Sequence, residues 1–572
     1  VVAPEEAIAC YLVLLLGSWA ATWAFIEMQM PLLTSPAVFA SPENGWKEHV
    51  LPNLPRWAVG PLDEPYASGF YNGLPDSVAR PWRRWIVPAA AWSAFTIALA
   101  LFSAALGSLL ARQWVEHDRL TFPMAETVLS LVRGAMRDRR FWWGAAASAS
   151  VPAWNLLQSY LPVFPKMSLY FGAGPEGLEW LKGAERFIPV LNVALLGLFY
   201  FVHRDILLSM IVCFFAFALE QHVLSLAGVK LEHNDVFGWG GSVGGWQTAG
   251  SVLALVAISL WSGRGALRTF VRAGLRGEDA VGGWMSPRAT LLALVGASAA
   301  LGAWMVALGL RSVGPLVSFL LSSGLGYIGF ARLTAESGME LGWPIEPSSF
   351  ALLAGGTAAL APAGFVALAL SESWVTGSSM ISLTSISLQG EKTRTAFRFP
   401  RAVLWTGLAA VALSTAISIF ATAKLGYDRG ANNFGNWSYQ WAMRIPYDQA
   451  AECARTTKVG VDGPRLGWLT AGAALASGLV VMRNRVVGWF LHPVGLVLGA
   501  LGKPGGSQGN VYIFTALIAW IIKSLVVKLG GVESYERLKP LFVGLVVGHY
   551  APDLLQAVGD LVSFIQTGHP LQ

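Results

Sequence analysis

The chain contains few charged residues. Only 13% of its 572 residues are charged, whereas an average soluble domain carries roughly 25%. Its three cysteines, Cys10, Cys213 and Cys453, lie far apart, which argues against a disulfide framework or a cysteine metal site. The sequence also lacks a G-x-x-x-x-G-K-S/T phosphate loop and an H-E-x-x-H zinc motif. These absences argue against a soluble domain and against ATP-driven pumping by this chain alone.

Apolar residues dominate instead. Hydrophobic residues make up 54% of the chain, and the mean hydropathy of +0.52 indicates that the apolarity is global. A soluble globule of this size cannot hide so much apolar surface, whereas a bilayer can. The 25 tryptophans agree with this interpretation, because tryptophan anchors helices at both membrane interfaces. The composition therefore predicts an all-α, polytopic transmembrane helix bundle.

Apolar stretches of about 20 residues, the length that one spanning helix needs, recur along the whole chain. The stretch Ser371–Gly390 is also long enough to cross but is rich in serine and threonine. We therefore expect about 14–16 spans, one of them broken. The apolar spans are predicted near Ala7–Met30, Trp85–Ala111, Phe141–Val163, Phe187–Val202, Ile206–Leu226, Trp246–Ser262, Ala289–Leu310, Val313–Ala331, Ala351–Leu370, Arg401–Ala423, Leu466–Met482, Val486–Leu501, Val511–Val527 and Leu538–Ile565.

The mild net charge of +6 resides in short loops between these spans, a pattern that indicates membrane topology rather than nucleic-acid binding. The long loops Pro31–Arg84 and Leu425–Arg465 are rich in aromatic residues and are expected outside. Strict alternation requires that Ser371–Gly390 also crosses, as a broken or cavity-lined segment; a serine- and threonine-rich helix bonded to its neighbours is the alternative. The basic clusters expected in the cytoplasm include Arg112–Arg140, Gly263–Arg288 and Lys392–Arg401.

We expect one integral membrane domain over residues 1–570, with two halves at 1–288 and 289–572 and external caps near 31–84 and 425–465. Two short sequences look alike, Arg119-Leu-Thr-Phe-Pro-Met-Ala-Glu126 and Arg332-Leu-Thr-Ala-Glu-Ser-Gly-Met-Glu340. An internal repeat is typical of transporters. Chance resemblance is the alternative.

The last span carries a polar stripe. His549, Asp553, Gln556 and Asp560 follow one another at steps of four, three and four residues, which places them on one helical face. Such a stripe can relay protons or hold a cation, and it should face other helices because charge facing lipid is costly. A structural pairing of Asp553 with His549 is the alternative. Gly544 and Gly548 form a G-x-x-x-G pair suited to close helix packing.

Other polar residues at predicted membrane depth are candidates for binding a substrate or an ion. Several lie near the predicted ends of spans, where a carboxylate can simply reach water. Together they exceed what helix packing needs, and this favours a polar cavity. With His549 and Asp553, the candidates are Glu27, Asn155, Gln158, Glu336, Glu340, Glu372, Trp374, Thr376 and His492.

Four short motifs are distinctive. The amino half carries Ser41-Pro-Glu-Asn-Gly-Trp46 and Arg119-Leu-Thr-Phe-Pro123, and the carboxyl half carries His492-Pro-Val-Gly495 and Ala519-Trp-Ile-Ile-Lys-Ser524. These motifs resemble a family of uncharacterised prokaryotic multi-spanning proteins. Leu120-Thr-Phe-Pro123 followed by an acidic helix is also distantly similar to a motif of oligopeptide and metal-chelate transporters. That similarity implies about sixteen spans and proton coupling.

These observations predict an ion-coupled secondary transporter of a small polar solute, such as a peptide or a metal chelate. The expected location is the prokaryotic cytoplasmic membrane, with the bilayer and the solute as partners and a homodimer or larger complex as the assembly. No catalytic residue, cofactor, metal or nucleic acid is expected. An accessory subunit that docks through its aromatic outer loops and a membrane-embedded enzyme on lipid-linked substrates, with paired acids such as Glu336 and Glu340, are the alternatives.

Overall fold

The described part of the chain is built from helices. The computed structural model describes residues 3–161, 163–169, 171, 177–182, 184, 186–229, 237, 242–278, 283–339, 346–372, 382–397, 400–434, 437–500 and 511–567. Within these ranges there is no β-strand, only one isolated bridge between Leu178 and Phe187. The all-α prediction is therefore confirmed for the described residues.

The helices are numbered in chain order. The first ten are α1 Pro4–Ser18, α2 Met28–Val38, α3 Trp46–His49, α4 Tyr66–Asn72, α5 Trp82–Ala111, α6 Pro123–Val132, α7 Arg139–Tyr160, α8 Val193–Phe199, α9 Arg204–Leu226 and α10 Ser242–Ser262. The others are α11 Arg264–Arg276, α12 Pro287–Leu308, α13 Val313–Ser337, α14 Pro347–Leu353, α15 Pro362–Leu370, α16 Leu383–Ala396, α17 Ala402–Arg429, α18 Ile445–Arg455, α19 Gly463–Arg485, α20 Pro493–Ala500 and α21 Val511–Thr567.

Nine helices of the described ranges are long and apolar enough to cross a membrane. The protein is therefore an integral, multi-pass membrane protein. One of the nine segments, Tyr512–Ser563, is 52 residues long and is interrupted at Gly531, whose φ of 64° and ψ of −164° are not helical. This interruption separates the predicted spans Val511–Val527 and Leu538–Ile565.

Three stretches predicted as single spans are not continuous helices over their whole length. In Phe187–Val202 the α-helix α8 covers only 7 residues, in Val486–Leu501 the helix α20 covers 8, and Ala351–Leu370 is split between α14 and α15. In the third stretch the physical reason is local: Gly356, at a φ of 64°, follows the end of α14. Proline then occupies the first position of α15, where its missing N–H costs nothing. Apolar composition alone does not detect these breaks.

The stretch Ser371–Gly390 is also not one continuous helix. The extended backbone of Ser382, with a ψ of 113°, precedes α16, and its side chain accepts a hydrogen bond from the Ser385 N–H. The residues between Glu372 and Ser382, including Trp374 and Thr376, lie outside the described ranges.

The chain folds into two compact units, each made of three segments. The first unit comprises Val1–Arg119, Glu232–Arg332 and Glu340–Ala473, and the second comprises Leu120–Leu231, Leu333–Met339 and Ala474–Gln572. The predicted halves 1–288 and 289–572 refer to an internal repeat in the sequence, which the two units do not test. The halves therefore stay a prediction.

The first unit is built around α5, which packs against α12, α16 and α17. Small and hydroxylated residues make these contacts close. A Cβ on Gly107 would lie 2.7 Å from the Ser387 Cβ, and the hydroxyls of Thr96 and Thr415 are hydrogen-bonded at 3.0 Å. Such residues are typical of helix contacts in membranes, where lipid tails compete with apolar side chains and close approach provides the attraction.

The two predicted external loops pack against each other in the first unit. The Trp46 indole N–H donates to the Asp448 Oδ1 at 2.8 Å, and the Tyr447 hydroxyl donates to the Leu32 carbonyl at 2.6 Å. Some aromatic side chains of these loops are therefore used inside the protein, and fully buried examples are Trp46, Tyr71, Tyr427 and Tyr447. Others are on the surface: Trp82, Trp437 and Trp441 are 38%, 43% and 56% exposed.

Segments from the three predicted cytoplasmic clusters also meet in the first unit. A cavity of about 360 Å³ is lined by Arg112, Thr269 and Thr395, among others. The sequence regions predicted to lie on one side of the membrane thus lie together. This agrees with the grouping in the topology prediction, whereas the side on which each group lies stays a prediction.

The contact between the external loops generates a prediction at Asp448. Burial raises the pKa of its carboxyl above the ordinary value of 3.8, and this outweighs the Trp46 hydrogen bond and the charges of Arg444 and Arg455. The folded protein therefore binds a proton here more tightly than the unfolded chain does. The contribution of Asp448 to stability is largest below about pH 3.8 and falls as the pH rises through the raised value.

Asp448→Asn keeps an acceptor for the Trp46 N–H and removes the charge, so we expect equal or higher thermal stability at pH 7. Asp448→Ala should cost about 1–3 kcal/mol, because the buried indole N–H loses its acceptor. Thermal unfolding of the purified protein at pH 5 and pH 7 measures both. Equal losses at pH 7 for the two variants would show that the ionised carboxylate itself stabilises the fold.

Candidate functional site

A polar cavity in the second unit brings together several of the predicted residues. Its volume is about 460 Å³, and it lies between α7, α21 and the chain that follows α7. The lining residues that carry polar side chains are Ser148, Asn155, Gln158, Lys166, Ser168, His549, Asp553 and Gln556.

Glycines bring α7 and α21 into backbone contact beside this cavity. A Cβ on Gly548 would lie 2.2 Å from the Ala145 carbonyl oxygen, and one on Gly544 would lie 2.1 Å from that of Phe141. Gly144 of α7 makes the reciprocal contact with the Leu541 carbonyl oxygen at 2.1 Å. The predicted G-x-x-x-G packing at Gly544 and Gly548 is therefore confirmed.

Each of the two helices also contains a proline at this level. Pro152 of α7 has no N–H for the carbonyl of Ser148, and Pro552 of α21 has none for that of Gly548. Ser148 and Pro152 line the cavity, and Gly548 directly precedes the lining residue His549. Both helices therefore leave a carbonyl group without its usual helical donor close to the same space.

Two side-chain atoms in this wall have no hydrogen-bond partner among the described residues. They are the Ser148 Oγ and the His549 Nδ1, and both atoms are buried. Ser148 itself is only 1% exposed. Buried polar atoms normally have partners, so these two indicate a place where water, an ion or a solute polar group completes the bonding.

The stripe on the last span is partly directed to this cavity. His549, Asp553 and Gln556 line it, whereas Asp560 is not among its lining residues. Asp553 is exposed and His549 is half-buried. A titratable imidazole and a carboxylate thus lie on successive turns of α21 along one cavity wall.

Asn155 has a positioning role. Its side-chain amide donates to the Met167 carbonyl at 3.0 Å and accepts from the Met167 N–H at 2.8 Å. The neighbouring Trp154 indole donates to the Pro165 carbonyl at 2.8 Å. These bonds hold the chain after α7 against the helix, and they place Lys166 in the cavity wall opposite α21.

Glu336 and His492 form a second polar cluster in the same unit. The Glu336 carboxylate lies 3.7 Å from the His492 Nε2 and is buried. The Val494 N–H donates to the His492 Nδ1 at 3.3 Å, so the proton of a neutral ring lies on Nε2, towards the carboxylate. The backbone N–H of His492 donates to the Ser209 hydroxyl at 2.6 Å.

The Leu120-Thr-Phe-Pro123 motif holds the chain around Glu336. The Phe122 N–H donates to the Ala335 carbonyl at 2.8 Å, and the Thr121 hydroxyl donates to the Glu336 carbonyl at 3.3 Å. Phe122 has a φ of 46°, a conformation that non-glycine residues rarely adopt. The two similar short sequences therefore touch each other, and their contact fixes the end of α13.

Two other predicted residues, Glu27 and Glu372, belong to the first unit. Glu27 accepts a hydrogen bond from the Ser438 hydroxyl at 2.8 Å in the first unit. Glu372 is buried, 2% exposed, just after the end of α15. Glu340, Trp374 and Thr376 lie outside the described residues.

The sequence analysis does not single out Ser148 and Lys166, although both line the cavity. A signal for Ser148 is its place four residues before the helix proline Pro152. Lys166 lies just beyond the predicted span and resembles an ordinary interfacial lysine.

Glu391 of the first unit is another buried carboxylate that the sequence analysis misses. It accepts hydrogen bonds from the Ser108 hydroxyl at 2.8 Å and the Trp284 N–H at 2.9 Å, and it lines the cavity that contains Arg112. Burial raises its pKa, more than these bonds lower it. In the sequence, this acid directly precedes a basic cluster, a pattern that is typical of an ion pair at the surface. The pattern therefore does not indicate that the carboxylate is buried.

The chain belongs to a family of unknown function, described as Family of unknown function (DUF6785), whose model matches residues 1–570. This confirms the resemblance to an uncharacterised family over the whole chain. No curated protein matches the chain.

The backbone contact beside the cavity generates a prediction at Gly548. Gly548→Ala should lower thermal stability, by about 1–3 kcal/mol, because its Cβ meets the α7 backbone. Gly296→Ala in α12 is the matched control: its Cβ meets no atom within 4 Å, and alanine favours a helix by up to about 1 kcal/mol. Unfolding temperatures of the two purified variants should move in opposite directions. Equal shifts would contradict the close contact.

Proposed function

We propose that this member of a family of unknown function is an ion-coupled secondary transporter of a small polar solute. A peptide or a metal chelate is the solute class that we favour. The observation that carries the proposal is the polar cavity between α7 and α21, with a carboxylate, an imidazole, an ammonium group and a glutamine amide in its walls.

The chemistry of the cavity suits a solute with charges of both signs. Asp553 on α21 attracts a cationic group, and Lys166 on the segment after α7 attracts an anionic one. Gln158 offers both a donor and an acceptor. A zwitterion such as a short peptide presents groups that match these three side chains.

His549 and Asp553 also provide a route for a coupling ion. An imidazole changes charge near neutral pH, so it can accept a proton from one side and release it to the other. The carbonyls of Ser148 and Gly548, freed by the two prolines, are suitable ligands for a small cation. We favour the proton because an imidazole and a carboxylate on adjacent turns form a short relay.

The division of the predicted spans supports the proposal. In the second unit, the short helix α8 packs on α21 and the short helix α20 packs on α9. Interrupted helices at membrane depth are tolerated where protein or water covers their ends, and transporters place them beside their binding sites.

The two alternatives are a docking subunit and an enzyme with paired acids. A docking subunit requires aromatic outer loops on the surface: Trp82, Trp437 and Trp441 are 38%, 43% and 56% exposed, whereas Trp46 and Tyr447 are buried in the contact between the loops. An enzyme with paired acids would use Glu336 and Glu340. Glu336 lies 3.7 Å from His492, and Glu340 lies outside the described residues.

The decisive variant is Asp553→Asn. We expect it to abolish solute-driven proton flux because the amide cannot exchange a proton, while insertion and unfolding temperature stay unchanged. Proteoliposomes that contain a pH-sensitive dye measure this flux when di- and tripeptides or ferric chelates are added under an imposed pH gradient. Asp560→Asn on the same helix, outside the cavity, is the matched control and should transport normally. If Asp553→Asn transports normally and only melts earlier, the stripe is a packing feature and the site assignment is wrong.

A further inference from the structure

Helix α11 carries an arginine at every fourth position. These residues are Arg264, Arg268, Arg272 and Arg276. At 3.6 residues per turn, a step of four residues rotates by about 40° beyond a full turn. The four arginines therefore form one broad, positively charged stripe along the helix.

Within the described ranges, the middle of this stripe has no countercharge. Arg264 donates to the Trp261 carbonyl at 2.7 Å, and Arg276 lies 3.6 Å from the Glu278 carboxylate. Arg268 and Arg272 are exposed and have no partner among the described residues. Because like charges four residues apart destabilise a helix, an anion from outside the chain would relieve this repulsion.

Apolar side chains lie exposed beside the arginines. Leu275 is 79% exposed and Val271 is 36% exposed. The opposite face is attached to the protein, where a Cβ on Gly274 would lie 2.9 Å from the Pro287 carbonyl oxygen. The free edge of α11 therefore combines guanidinium groups with apolar side chains that water would solvate poorly.

The connections of α11 place it at the membrane surface. It begins two residues after α10 ends at Ser262, and α12 begins at Pro287. Both α10 and α12 are among the helices that can span a membrane. Trp261, at the end of α10, is 70% exposed and stacks with Arg264 at 4.8 Å, as expected of an interfacial anchor.

We propose that α11 is an interfacial helix that binds the phosphate headgroups of anionic phospholipids through Arg268 and Arg272. Val271 and Leu275 enter the upper acyl layer, and the guanidinium groups donate hydrogen bonds to the phosphate oxygens. A helix with basic residues on one face and apolar residues on another lies in the plane of the membrane surface. A soluble phosphate would use the arginines but would leave the two apolar side chains in water.

The test is a lipid titration of the full chain in detergent, with bound phosphatidylglycerol and phosphatidylcholine counted by native mass spectrometry. The chain should bind phosphatidylglycerol in preference, and Arg268→Gln/Arg272→Gln should weaken that binding on the order of 25-fold, at about fivefold for each basic residue. Arg268→Lys/Arg272→Lys should retain most of the preference. The control Lys47→Gln/Arg56→Gln removes the same charge from exposed positions in the loop Pro31–Arg84 and should bind as the parent does.

Three results would overturn the proposal. One is an unchanged phosphatidylglycerol affinity in the Arg268→Gln/Arg272→Gln variant while its unfolding temperature in lipid-free detergent stays that of the parent. The second is an equal loss in the Lys47→Gln/Arg56→Gln control, which would show that only total charge matters. The third is displacement of phosphatidylglycerol by inorganic phosphate at a similar concentration, which would identify a site for a soluble anion.

Discussion

The backbone contact between α7 and α21 borders the polar cavity of the second unit and positions the side chains in its walls. Gly144, Gly544 and Gly548 allow carbonyl oxygens to approach positions that any larger side chain would occupy. Lipid provides no hydrophobic drive for helices to associate, so this close packing is the main attraction between them. One turn further along, where the glycines end, Ser148 and Pro152 of α7 and His549 of α21 line the cavity.

Placing polar and ionisable groups in the cavity wall costs free energy, and helix packing alone does not explain why the protein retains them. An ionisable group that faces hydrocarbon costs about 3 kcal/mol or more, and buried polar atoms without partners add to that cost. The wall contains Asp553 and Lys166, together with unpartnered atoms of Ser148 and His549. A membrane protein that retains such groups in a space that a small solute fits is well suited to bind polar cargo.

Much of this arrangement follows from the sequence. Hydropathy predicts the long helices, the spacing of His549, Asp553 and Gln556 predicts a shared face, and the glycine spacing predicts the close contact. Divided spans are harder to predict, because a stretch that contains Gly356 and Pro362 is as apolar as a continuous helix. Contacts between distant segments are harder still. No local pattern indicates that the side-chain amide of Asn155 is hydrogen-bonded to the backbone of Met167 or that Glu336 lies beside His492.

The central claim is that water and polar solutes reach the space between α7 and α21. The most direct test is the reaction of a membrane-impermeant, hydrophilic thiol reagent with His549→Cys in a background without native cysteines. Leu554→Cys is the comparison, because Leu554 lies on α21, is 67% exposed and does not line the cavity. The account predicts rapid modification at position 549 and little at position 554, where lipid covers the side chain. Modification at 554 but not at 549 in the folded protein would contradict a polar pathway at this helix contact.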